Sequence, residues 1–332
     1  MPSAAFPGAS QPEIFPGASQ PGVPASLVER LGSPALPSPL REVVDAPFAR
    51  RGVRLFLKRD DLVHPEIPGN KWRKLVPALA GLVPGQTLVT FGGAWSSHVR
   101  ATAAAGRLLG VPTVGLVRGD ELATRPLNPA LERCRADGMR LHFVDRSRYR
   151  RKREPETLRS LLREAGVVRP HLVPEGGSSP AAVRGCAELG REVRGRADVV
   201  ALACGTGGTL AGLAAGLGPG TRALGIPVVK GGFLAEEVRA LQTAAFGSAV
   251  GSWSLDERFH AGGYARLPAA LDRFARDFED RHGLPVERLY VAKLLHALTC
   301  LAEEGAFPAG TRVAAVITGV PGPGLSSGLR TR

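Results

Sequence analysis

The chain has 332 residues, 44% of them hydrophobic, and carries a formal net charge of +13. That length and apolar share give one or two globular domains with a large core. No apolar run reaches the roughly 18–20 residues of a membrane helix, and the first residues lack the basic start and apolar stretch of a secretory leader.

Only 6 of the 43 basic residues are lysines, so the charge is mostly arginine spread along the chain. Its densest run, "RSRYRRKREPETLR" (146–159), reads as a solvated surface and not as a polyanion site. Four cysteines, Cys134, Cys186, Cys204 and Cys300, show no CxxC pairing and read as thiols of a reducing compartment. A cytoplasmic protein with no nucleic-acid and no membrane partner is expected.

In chain order, "FPGASQP" occurs at 6–12 and again at 15–21. This Pro/Gly/Ser-rich start cannot build a core, and residues 1–36 read as a disordered tail. From about residue 53, strands alternate with helices. "VRLFLKRDD" is a strand, "KWRKLVPALAGL" a helix, "TLVTF" (87–91) a strand, and "SSHVRATAAAGRLLG" (96–110) a helix opened by Ser and closed by Gly. Strands "PTVGLVRG" and "MRLHFVD" (139–145), helix 155–166, strand "HLVPEG", helix 180–194, strand 198–205 and helix 208–216 follow. Helices near 266–281 and 293–304 precede a strand at 312–318. This alternation predicts an α/β protein with mostly parallel sheets flanked by helices. Such sheets present ligands at the carboxyl ends of their strands, which singles out loops 92–98, 175–179, 204–209 and 318–324.

"CGTGGTLAGL" (204–213) is a Gly-rich loop between strand and helix. Its glycines let backbone N–H groups approach an anion, and Thr206 and Thr209 add hydroxyls. With no following Lys and no GxGxxG, it reads as a site for one small phosphate or as a plain structural turn. "FGGAWSSH" and "PEGGSS" repeat the device of Gly-Gly then Ser-Ser before a helix. Ser96 and Ser97 are either helix caps or donors to a carboxylate. "HPEIPGNKWRKL" places Lys71 after a Pro-Gly-Asn turn, as a basic helix start or as an amine that holds a cofactor.

Taken together, "LFLKRDDLVHPEIPGNKWRKL", "TFGGAWSSHVRATAAAG", "LHFVDRSRYRRK", "PEGGSS", "ACGTGGTLAGL" and "HAGGYARLP" resemble the 1-aminocyclopropane-1-carboxylate deaminase/D-cysteine desulfhydrase family of pyridoxal-phosphate enzymes. The resemblance runs from about residue 37 to about 320. It implies a two-domain tryptophan-synthase-β-like fold (fold type II), with 37–84 and 170–332 in a large cofactor domain and 85–169 in a small one. It implies that Lys71 binds pyridoxal 5'-phosphate as a Schiff base and moves the substrate's Cα proton. Gly205, Thr206, Gly207, Gly208 and Thr209 would hold the phosphate. Ser96, Ser97 and His98 would meet the substrate, with Ser96 in carboxylate binding or proton transfer and Ser97 also at the cofactor's 3'-oxygen. Tyr264 and Tyr290 match two tyrosines of the family's substrate pocket. The implied partners are a small amino acid and a second copy in a homodimer, since relatives are commonly dimers.

Three positions depart from the family pattern. Ser97 stands where Asn is usual. Val291 stands where the deaminases carry a Glu that pairs with the pyridine nitrogen, which leaves Thr318 as that nitrogen's partner and argues against opening a cyclopropane ring. The tail "PGPGLSSGLRTR" is unlike a family C-terminus. The expected activity is β-elimination from a D-cysteine-like substrate to a 2-keto acid and ammonia. The alternatives are 1-aminocyclopropane-1-carboxylate deamination, racemisation or β-replacement on the same scaffold, or a binding protein of this fold with impaired catalysis.

Overall fold

Apolar runs with glycine at their ends form the strands, and the alternating amphipathic segments form the helices. The computed structural model describes residues 22–319 and 321. Its helices are α1 (Ala25–Leu31), α2 (Ala46–Ala49), α3 (Asn70–Leu79), α4 (Ser97–Leu109), α5 (Pro129–Ala136), α6 (Arg146–Arg150), α7 (Pro155–Glu164), α8 (Pro180–Glu192), α9 (Gly208–Gly216), α10 (Leu234–Phe246), α11 (Ala269–His282) and α12 (Val291–Glu303). Its strands are β1 (Leu40–Val43), β2 (Arg54–Lys58), β3 (Thr87–Gly92), β4 (Thr113–Arg118), β5 (Met139–Val144), β6 (Pro170–Val173), β7 (Val199–Cys204), β8 (Arg222–Pro227), β9 (Trp253–Leu255) and β10 (Arg312–Val316).

Two sheets result. The larger has the order β1-β2-β10-β7-β8-β9, parallel except for the β1–β2 pair. Every residue of its central β7 is buried, as expected of a strand covered on both faces. The smaller sheet, β5-β4-β3-β6, is wholly parallel.

Two sequence expectations need correction. β6 is hydrogen-bonded to β3, so the segment at 170–173 belongs to the smaller sheet and not to the large domain. Its four residues are too short to declare a partner before the sheets assemble. The stretch assigned to a disordered tail includes α1, whose Leu31 is only 1% exposed and packs with Trp72 and Leu109. Residues 1–21, including both repeats, and most of the C-terminal tail lie outside the described residues. The arginine-rich run is neutralised locally. Arg146, Arg148, Arg151, Lys152 and Arg153 each pair with a carboxylate. Among the described residues, no helix is long and apolar enough to cross a membrane.

A buried ionic knot fixes α3 within this frame. Arg73, Asp60 and Lys58 are each 0% exposed. Arg73 donates through Nε and Nη2 to both Asp60 oxygens at 2.8 Å, and through Nη1 to Glu192 Oε1 at 2.8 Å. Lys58 donates to Glu192 and to the Ser38 carbonyl, while the Ser38 hydroxyl donates to Asp60 at 2.6 Å. The knot joins β2, α3, α8 and the segment before β1. Removing one partner of such a cluster strands the others without water. Arg73→Met is therefore expected to lower the unfolding free energy by about 3–5 kcal/mol. Urea denaturation checks this, and a loss below about 1 kcal/mol would mean the knot does not hold α3.

Candidate active site

The carboxyl ends of the parallel strands open onto a cleft of about 790 Å³ between the two sheets' loops. Lys71, Ser96, Ser97, His98, Gly205, Thr206, Gly207, Thr209, Tyr264, Tyr290 and Thr318 all line it. Gly208 alone of the predicted site residues does not. A second groove of about 890 Å³ runs beside β5, but none of these residues reaches it.

The lysine turn is built around Gly69, at φ +66°. A Cβ there would overlap the Thr318 carbonyl, so only glycine lets this turn sit against the end of β10. Asn70 and Lys71 then open α3. Lys71 Nζ donates to Asn70 Oδ1 at 2.6 Å, and Asn70 Nδ2 donates to Thr209 Oγ1 at 2.9 Å. The lysine is thus tied to the glycine loop through one amide. Burial, reinforced by the neighbouring Lys74 charge, lowers the Lys71 amine to about 7.

The loop itself departs in detail from the sequence expectation. Gly207 has φ +78° at the cap of α9. A Cβ on it would stand 2.7 Å from Val238 Cγ2 of α10, and one on Gly208 would stand 2.6 Å from Ser178 Oγ. The Gly207 direction points away from the cleft into α10, whereas the Gly208 direction points at Ser178 and Lys74 of the cleft lining, so a side chain at 208 would fill the space beside them. The hydroxyls of Ser178 and Thr206 lie 2.6 Å apart. Lys74, one turn after Lys71, donates to Gly176 O at 2.6 Å and Ser178 Oγ at 3.3 Å. It brings a second cation to the loop that sequence reading overlooked. The rarity of lysine was the available signal: Lys58, Lys74 and Lys293 are all buried.

Across the cleft, Ser96 caps α4, its hydroxyl accepting from Val99 N at 3.3 Å, with the exposed Ser97 next in line. His98 is 2% exposed. Thr90 Oγ1 donates to Val173 O at 3.0 Å and so accepts from His98 Nε2 at 2.8 Å, which leaves Nδ1 as a bare acceptor. Burial, together with Lys74 and Lys71, holds this imidazole neutral. Tyr264 and Tyr290 meet edge to face, their ring centroids 6.2 Å apart. Burial raises both phenols, Tyr264 to about 12. Lys293 supports the Tyr264 loop by donating to His260 O at 2.9 Å and Gly263 O at 2.7 Å.

Val291 does not face the cleft. It is 0% exposed in the core, so the argument that made it the pyridine-nitrogen position fails. The carboxylate near the tyrosines belongs to Glu287. Its oxygens accept from the N–H groups of Leu289 at 2.8 Å, Tyr290 at 2.6 Å and Val291 at 3.2 Å.

Fold and site define an α/β enzyme with a desolvated lysine beside an anion cradle. A model of the family described as pyridoxal-phosphate dependent enzyme matches residues 34–319, and the chain belongs to that family. A putative 1-aminocyclopropane-1-carboxylate deaminase of Pyrococcus furiosus is 29% identical over 272 residues, 76% of this chain and 81% of the relative. A D-cysteine desulfhydrase of Salmonella paratyphi A is 29% identical over 298 residues, 82% of this chain and 87% of the relative. The solved structure of an ACC deaminase homologue matches with a TM-score of 0.73 at 26% identity, covering 89% of this chain and 94% of that one. The residues fit the cofactor. The amine is lowered into the range where a substantial neutral fraction exists near pH 7, and the hydroxyls of Thr206 and Ser178 and the Lys74 amine lie in the same cleft.

Cofactor-free protein is expected to capture pyridoxal phosphate, trapped by borohydride, at a rate that rises to about pH 7 and then levels, because the amine is protonated below about 7 and neutral above it. Lys71→Ala should remove the trapped label. A rate still climbing toward pH 10 would show an ordinary solvated lysine.

Proposed function

We propose that the protein removes the Cα proton and the β-substituent of a small, D-cysteine-like amino acid, releasing a 2-keto acid and ammonia. The observation that carries this reading is the lowered Lys71 amine, facing a tyrosine pair across one cleft. Pyridoxal phosphate supplies the electron sink for the pair left at Cα.

The chain's own groups do the rest. Lys71 would hold the cofactor through its amine and would take the substrate's Cα proton. The backbone of 205–209, with Thr206, Ser178 and Lys74, holds the phosphate. The Thr209 hydroxyl, engaged with Asn70, keeps the Lys71 turn in register with that loop. Thr318, just after β10, and Ser97 would hold the cofactor's ring. The N–H groups at the start of α4, with Ser96, hold the substrate carboxylate, the helix end favouring its negative charge. Tyr264 and Tyr290, whose phenols stay protonated, are placed to give a proton to the departing group. The names of the Salmonella and Pyrococcus relatives support elimination and ring opening alike.

Keto-acid release from D-cysteine, β-chloro-D-alanine and 1-aminocyclopropane-1-carboxylate, measured side by side, tests the reading. Release from the first two is expected, with Lys71→Ala lower by about 10³-fold or more. Release from the cyclopropane alone would replace elimination with ring opening. Turnover unaffected by Lys71→Ala would overturn the reading.

A further inference from the structure

Six basic side chains line the cleft, and two of them pair with a carboxylate. Lys71 and Lys74 face the cofactor position, Lys152 pairs with Glu175 at 2.9 Å, and Arg153 pairs with Glu237 at 3.6 Å. Arg100 and Arg118, also in the lining, make no ion pair and no side-chain hydrogen bond among the described residues, and of the two it is Arg118 that stands beside Gly93 and Tyr264. It ends β4, at the edge where parallel sheets present ligands. A Cβ on Gly93 would stand 3.6 Å from Arg118 Nη2 and 3.9 Å from Tyr264 Cε1, so guanidinium and phenol flank the same glycine, three residues before Ser96. The Arg118 Cζ lies 5.8 Å from the centroid of Tyr149, whose ring is 2% exposed. An aromatic face orients a guanidinium but does not neutralise it. A partly desolvated arginine without an anion is costly unless a ligand supplies one.

We infer that Arg118 receives an oxyanion carried on the substrate's β-carbon, such as a sulfonate, sulfinate or phosphate, and so sets the substrate class. The inference rests on the elimination reading above. There the phosphate and the α-carboxylate already have their donors, at 205–209 and at the start of α4, and Arg118, by its place beside Gly93 and Tyr264, is the arginine positioned for a third anion. Planar, paired N–H donors suit an oxyanion better than a thiol. In the reaction the Cα proton passes to Lys71, and the β-substituent leaves with the electron pair of its Cβ bond. One water replaces the amine, giving a 2-keto acid, ammonium, the free oxyanion and one proton. Arg118 stabilises the anion both bound and leaving.

The test uses cofactor-loaded protein and an isosteric pair that differs in side-chain charge, aspartate and asparagine, in both enantiomers. Each is titrated against the cofactor's absorbance band, which needs no turnover. Aspartate is expected to perturb the band at a concentration lower than asparagine by about tenfold or more. Arg118→Met should abolish that preference and Arg118→Lys should retain part of it, with unchanged circular dichroism showing that both variants fold. O-phosphoserine against O-acetylserine, read as the ratio of kcat/KM, should follow the same order. Equal response to aspartate and asparagine in the unmodified protein overturns the inference. So does a preference that survives Arg118→Met, and so does an equal loss on both ligands, which would assign Arg118 to the α-carboxylate. A protein with no cofactor band, or one whose band survives Lys71→Ala, fails at the elimination reading itself and takes the inference with it.

Discussion

The position of one helix, α3, decides whether this protein has an active site, and a buried arginine fixes that helix. Lys71 and Lys74 face the cleft from the same helix whose Arg73 turns the other way, into Asp60 and Glu192. Taking three or four charges out of water is expensive, and only near-complete hydrogen bonding offsets it. Here Arg73 reaches both carboxylates, Lys58 shares Glu192, and Ser38 completes Asp60. Because the carboxylates come from either side of α3, the helix has one low-energy register. Lys71 inherits that register and, through Asn70, the glycine loop inherits it too.

The electrostatics of the cleft follow from this placement. Two lysines one turn apart in a desolvated space repel, and the repulsion adds to burial in lowering the Lys71 amine. That repulsion is costly for the empty protein, and an anionic ligand beside the two amines would relieve it. Binding should therefore stabilise the fold by mass action. The opposite wall is set differently. Glu287 spends its carboxylate on three backbone N–H groups at the head of α12, so its negative charge shapes the Tyr290 turn. Lys293, buried among carbonyls, does the corresponding work for Tyr264, whose loop contains Ala261 and Ala265 at positive φ.

The sequence by itself determined the alternation of strands and helices, because that pattern is written in local apolar periodicity and in glycine or serine at element ends. β3, α4, β4, β7 and α9 lie within a residue or two of where periodicity puts them. It also determined which loops gather at the cleft, since a parallel sheet has only one end for them, and it marked Lys71 through the Gly-Asn turn before it. What it left unread was local in pattern but distant in cause. α1 looks like part of a low-complexity tail until Leu31 meets Trp72. β6 is four residues whose pairing is chosen by β3, 83 positions earlier. β8 and α10, between 217 and 265, gave too little contrast to stand out. Tertiary structure alone decided which side chains turn inward. Val291 points into the core because Glu287 fixes the start of α12, Lys74 joins the cleft because α3 turns Arg73 away from it, and Arg118 reaches Gly93 because β4 lies beside β3. Each is a question of direction at a given backbone position, and direction is set by contacts between residues far apart in the chain, which no window of sequence contains.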